Sequence, residues 1–171
     1  MKKSIIEPGF VGFTRSDDFM GKLIRLGESL TSHADVNHMF IVGDHGKVIQ
    51  AQMKGVTYDA SLDQMLAHQT CYVLRPPGFV DLRKVVDFGE FYVNTAYGLG
   101  TDVAIGIDML TSNWVPAFRG ARKDSIICSA LGMQALRFGG WLHHFVDVYS
   151  CTPQQVKDAL LSDGAVLVHP A

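Results

Sequence analysis

The sequence has little cysteine: three in 171 residues, at Cys71, Cys128 and Cys151. The count is odd and no pair stands at CxxC spacing, which argues against a disulfide framework and against a cysteine-built zinc site. It also lacks a long apolar run. Nothing approaches the roughly 18 uninterrupted apolar residues of a membrane-spanning helix. The first residues, Met1 to Pro8, carry two lysines but no apolar core of signal-peptide length, so a cytoplasmic location is the expectation. Charge of one sign is missing too. Fifteen Lys and Arg stand against seventeen Asp and Glu, for a formal net charge of −2, and no basic block stands out. Nucleic acid as the main partner is therefore excluded. There is no internal repeat, no low-complexity segment and no linker.

What is present is a chain of 47% hydrophobic and 19% charged residues, long enough for one compact domain over 1–171 with a sizeable core. Its middle-to-late stretch Arg122 to Leu136 predicts a helix that starts just ahead of Cys128, capped by Asp124 or Ser125. Cys128 then sits about one turn in, where unpaired N–H groups and the positive end of the helix dipole favour an anion. A thiolate is such an anion. A lone cysteine on an apolar helix is also often just a buried residue.

Upstream, Gly9 to Arg15 reads as a short strand and Asp17 to Leu30 as an amphipathic helix. Asn37 to Gly43 is rich in strand formers, with His38 at its mouth. Gly43 to Gly46 is a turn, and Lys47 to Gln52 a second strand, so the two make a hairpin. His38, Phe40 and Val42 share one face; Val48, Gln50 and Gln52 share one on the partner. Depending on register, Gln50 or Gln52 lies across from His38. A side-chain carbonyl there can accept the imidazole's other N–H and fix its tautomer, as the third member of a catalytic triad does.

The remaining histidines carry less. His45 lies in the turn and reads as solvated; His143 and His144 are adjacent, so they point apart and make a poor chelate. Ser61 caps a short helix, Thr70 to Arg75 is a strand holding Cys71 as core packing, and Val80 to Thr95 is a helical stripe whose N-terminal dipole Asp81 can complement. Tyr97 to Ala121 is irregular and holds Trp114 and Phe118; it is either an excursion lining a cleft or an apolar subdomain. Gly139 and Gly140 stop the Cys128 helix, and Phe145 to Tyr149 reads as a strand. Thr152-Pro153 opens a helix running to about Leu161, and Ala165 to Val168 is a last strand. Cys151 precedes that cap and has no obvious role.

Taken together, several pieces resemble the circularly permuted NlpC-like, papain-fold cysteine hydrolases, which include lecithin:retinol acyltransferase-like relatives. They are Gly12-Phe13-Thr14-Arg15, Asn37-His38-Met39-Phe40-Ile41-Val42, Val48-Ile49-Gln50-Ala51, Tyr97-Gly98 with the apolar stretch Val103 to Leu110, Ile127-Cys128-Ser129-Ala130-Leu131, and Asp147 to Val156 with its Thr-Pro step. In the permuted group the histidine strand precedes the cysteine helix, as here. The resemblance spans roughly residues 9 to 160.

It implies an α+β papain-like fold: a small, mostly antiparallel sheet packed against the Cys128 helix. It further implies Cys128 as nucleophile, His38 as general base, Gln50 as the orienting third residue, and Tyr97 as a cleft residue. Many relatives carry Glu or His where Gln50 stands, and a neutral amide orients an imidazole without stabilising its charge. The implied reaction is attack of the Cys128 thiolate on an amide or ester carbonyl, giving an acyl-enzyme that water releases, the oxyanion held partly by the Cys128 N–H. The implied partner is a peptide or acyl-amide substrate, cell-wall peptides among them, with no cofactor and no metal. Two alternatives stay open: an acyltransferase or lipid-processing enzyme using the same residues, and a catalytically silent binding or structural module.

Overall fold

The computed structural model describes residues 5–15, 35–97, 125–141 and 151–170. Strands β1 (Val11–Thr14), β2 (His38–Val42), β3 (Lys47–Gln52), β4 (Gly55–Ser61), β5 (Cys71–Arg75) and β8 (Val166–His169) form one six-stranded sheet in the order β4-β3-β2-β1-β5-β8. Every neighbouring pair in it is antiparallel. Two short strands, β6 (Ala96–Tyr97) and β7 (Ser125–Ile126), pair in parallel beside it. Among the described residues there are four α-helices: α1 (Leu62–His68), α2 (Leu82–Phe91), α3 (Cys128–Phe138) and α4 (Pro153–Ser162). The class is α+β. No helix among the described residues is long and apolar enough to cross a membrane.

Side-chain alternation splits the core in two. Val11, Phe13, Met39, Ile41, Ile49 and Leu74 face α2 and α3 and are fully enclosed with Leu131 and Leu136. Phe40, Val42, Val48 and Val73 face the other way, where Phe10 and the α1 residues Leu62 and Met65 cover them. The approach of α3 to the sheet depends on Gly132. A Cβ there would overlap the Sδ and Cε of Met39, so glycine lets the helix lie this close to β2 without displacing that side chain.

The β2–β3 hairpin forms as the sequence predicts, joined by a single 3-10 turn, Asp44–Gly46. The Ser61 cap also forms, accepting from the Gln64 N–H; Asp81, expected only to complement the dipole, caps its helix by accepting from the N–H groups of Arg83 and Lys84. Thr152 and Gln155 make a reciprocal capping box with Pro153 in the first turn of α4.

Three readings are completed or corrected. Gly55 to Ser61, for which the sequence raises no strand expectation ahead of the Ser61 cap, is a full strand, because the polar, alternating run pairs along β3. The stripe from Val80 to Thr95 is helical only from Leu82 to Phe91. Asn94 takes a left-handed conformation (φ 72°), and residues 94 and 95 turn to exchange backbone bonds with Val56. Third, the helix that carries Cys128 does not start at Ser125, and Asp124 lies outside the described residues. Ser125–Ile126 is a strand paired with Ala96–Tyr97, Ile127 is extended, and the helix begins at Cys128 itself, with no side-chain cap. Two consecutive β-branched isoleucines favour extended backbone and hold off the helix. The expected helix Asp17 to Leu30, the strand Phe145 to Tyr149, most of Tyr97 to Ala121 with Trp114 and Phe118, and His143 and His144 lie outside the described residues.

Candidate active site

His38 is the first residue of β2 and half-buried. The β2–β3 register sets Phe40 opposite Gln50, which puts Gln50 diagonal to His38 on the same face. Their side chains meet: His38 Nε2 lies 3.0 Å from Gln50 Oε1. This decides between the two candidates on β3 in favour of Gln50 over Gln52. Gln50 is 4% exposed, so its amide is held by packing on a central strand. An amide oxygen only accepts, so in this contact Nε2 carries the proton and donates it. The neutral ring then has its basic lone pair on Nδ1, the arrangement a general base needs.

Cys128 stands at the first residue of α3 and is buried. The first intrahelical bond runs from the Leu131 N–H to the Ile127 carbonyl. The amides of Cys128, Ser129 and Ala130 thus belong to the helix start, with no acceptor inside the helix. Because the helix begins at the cysteine rather than a turn earlier, the thiol sits closer to the positive end of the dipole than the sequence predicts. Cys128 and Gly132 are one turn apart, and Gly132 packs on Met39, the residue after His38. The opening turns of α3 and the start of β2 are therefore neighbours.

Tyr97 is the register partner of Ile126, two residues before Cys128, so its backbone lies alongside the approach to the cysteine. The other two cysteines are also buried. Burial pushes the Cys71 thiol up from 9.0 to about 12, which keeps it protonated and inert near neutral pH, as its reading as core packing requires. His45 is exposed in the hairpin turn, with φ 56°.

One neighbour of His38 escapes the sequence reading. Thr14 on β1 is its direct register partner and is 1% exposed. A single Thr in a four-residue strand carries no signal until the pairing of β1 with β2 is known.

No protein-family model and no curated protein matches this chain. A solved structure does: metalloprotein yiiX from Escherichia coli O157:H7, described as DUF1105. It superposes with a TM-score of 0.65 over 96% of this chain and 97% of its own, at 16% sequence identity. The two share a fold. At that identity the likeness extends no further. Among the described residues, no three His, Cys, Asp or Glu side chains gather where they would hold one ion.

Proposed function

We propose that the chain is a papain-like thiol hydrolase of the permuted NlpC-like kind, cleaving an amide or peptide bond through Cys128, His38 and Gln50. The observation that carries this reading is the 3.0 Å contact between His38 Nε2 and the buried Gln50 Oε1. Any half-buried imidazole N–H takes an acceptor; what supports the reading is that this one is a packed side chain that fixes the tautomer and the ring plane, as a base requires.

In this mechanism Nδ1 of His38 takes the proton from the Cys128 thiol. The thiolate attacks the substrate carbonyl carbon, and the backbone N–H at the α3 start stabilises the oxyanion. The imidazolium returns its proton to the leaving amine, and water releases the acyl group by the reverse sequence. Strand alternation sends His38 out with Phe40 and Val42, while α3 packs over Met39 and Ile41. In this reading the imidazole and the sulfur have to meet around the end of β2, where His38 is the terminal residue, and not across the helix–sheet interface.

The test is thiol labelling with iodoacetamide near neutral pH, read cysteine by cysteine. Cys128 is expected to react about tenfold or more faster than Cys71 and Cys151, and His38→Ala to abolish that advantage. Equal, slow labelling of all three thiols would remove the reading. Incubation of the acyl-enzyme with water against an added amine or lysolipid separates hydrolysis from acyl transfer, which would use the same residues.

A further inference from the structure

His38 is held unevenly. On one side the β1 ladder reaches it: Thr14 is its register partner, and the Asn37 N–H donates to the Thr14 carbonyl at 3.0 Å. On the other side the ladder with β3 begins only at Phe40, two residues further on. The contact that orients the ring, Nε2 to Gln50 Oε1, crosses that unladdered side. The end of an element opens more easily than its centre. How steadily the ring meets Gln50 is therefore set by the residues that lead into β2.

Those residues are gripped by α4, from 119 positions along the chain. The Asp35 N–H donates to Gln154 Oε1 at 3.1 Å. Lys157 Nζ lies 4.0 Å from Asp35 Oδ2 and 4.0 Å from the centre of the Tyr72 ring. Tyr72 belongs to the same end of the sheet, since it pairs with Phe13 and Phe13 with Met39. Gln154 and Lys157 are each 7% exposed, while Val156 and Leu160 fill the same inner face of α4 with apolar packing. A buried amide and a buried ammonium cost free energy that leucine at those positions would not. Both are directed at one residue, Asp35, three before His38. The Gln154 amide is itself fixed, because its Nε2 donates to Asp158 Oδ1 at 2.8 Å one turn on. Val36 also anchors this segment, being fully buried, but apolar packing has no direction and a hydrogen bond has one.

We propose that Gln154, seconded by Lys157, is a positioning residue for His38: α4 clamps Asp35, and the clamp holds the start of β2 where the imidazole meets Gln50. Gln154 fixes the backbone through the Asp35 N–H. Lys157 draws in the carboxylate of the same residue; with Asp35 exposed and the pair at 4.0 Å, it contributes the smaller part. As a statement about catalysis the proposal rests on reading His38 as a base.

The experiment reads the His38 ring by nitrogen-15 NMR in alkaline buffer, where the imidazole is neutral and its two tautomers differ in shift. The resonance is assigned against His38→Ala. The Nε2–H form is expected to dominate in the full chain. Gln154→Met is expected to lower the ratio of Nε2–H to Nδ1–H about threefold or more and to slow Cys128 labelling by a similar factor. Gln154→Glu together with Asp158→Asn exchanges donor and acceptor between the two side chains, keeps an oxygen for the Asp35 N–H, and is expected to restore the ratio. Leu160→Ala loosens α4 without touching Asp35; it is expected to lower the melting temperature and leave the ratio unchanged. Should Gln154→Met fail to fold, Asp35→Pro removes the same bond from its donor end. An unchanged ratio in Gln154→Met, or an equal change in Leu160→Ala, would overturn the proposal, since the clamp would then add stability and nothing more. A ratio that follows Gln154 while Cys128 labels no faster than Cys71 would sink the hydrolase reading and leave the clamp standing. Fast Cys128 labelling with a ratio indifferent to Gln154 would do the reverse.

Discussion

Gln50 holds its amide oxygen 3.0 Å from the Nε2 of His38, on adjacent strands joined by a three-residue turn. The contact is short-range in sequence and buried in space, so it survives changes elsewhere and can be tested alone. Replacing Gln50 by Glu puts a carboxylate against the ring. An opposite charge at that distance favours the imidazolium, so the ring keeps its proton to higher pH. The acid limb of the activity or labelling profile is expected to move up by about one pH unit, while Gln50→Leu lowers the rate about tenfold or more by freeing the ring. A Gln50→Glu limb that stays in place would mean the acceptor does not reach the working ring.

The second expectation concerns Gly132 and Met39. A Cβ at 132 overlaps the Met39 side chain, and the helix cannot retreat without opening the core. Gly132→Ala should cost about 1–3 kcal/mol of unfolding free energy by urea titration. In a Met39→Ala background the alanine has room, so the two substitutions together should cost less than their sum. Additive costs would show that α3 does not lie on Met39.

The third concerns pH and Cys71. Burial raises its thiol from 9.0 to about 12. The unfolded chain releases that proton above pH 9, whereas the folded chain keeps it to about 12. The stabilisation is therefore complete below pH 9 and is lost as pH climbs from 9 to 12. Cys71→Ala should flatten this part of the stability-against-pH curve, measured by urea midpoints. Identical slopes would place the thiol in contact with water.

The fourth concerns the Thr152 capping box. Thr152 accepts from the Gln155 N–H and Gln155 Oε1 accepts from the Thr152 N–H. Thr152→Ala should cost about 1 kcal/mol in the same titration. Thr152→Ser should recover most of it.

Legibility in the sequence followed distance along the chain. The hairpin, the Ser61 and Thr152 caps and the glycine stop after Phe138 rest on neighbours a few residues apart, and all were readable. So was the alternation that puts His38 and Gln50 on one face. The choice of Gln50 over Gln52 was not, because it needs the β2–β3 register. The start of α3 was misread for a related reason. Ser125 is a good cap in isolation, but the pairing of Ser125–Ile126 with Ala96–Tyr97 claims it first. The end of α2 was misread the same way, through the bonds that residues 94 and 95 make to Val56.

The sequence by itself determined that the fold is α+β, that a histidine opens a strand, and that one cysteine lies near a helix start. Periodicity and capping are local, and a chain of this length displays them directly. Only the tertiary structure decided which glutamine meets the histidine, that Thr14 lies beside it, and that α3 settles on Met39. Those relations depend on how strands are ordered and registered. The hydrophobic faces of the sheet fix that order jointly, and no single segment records it.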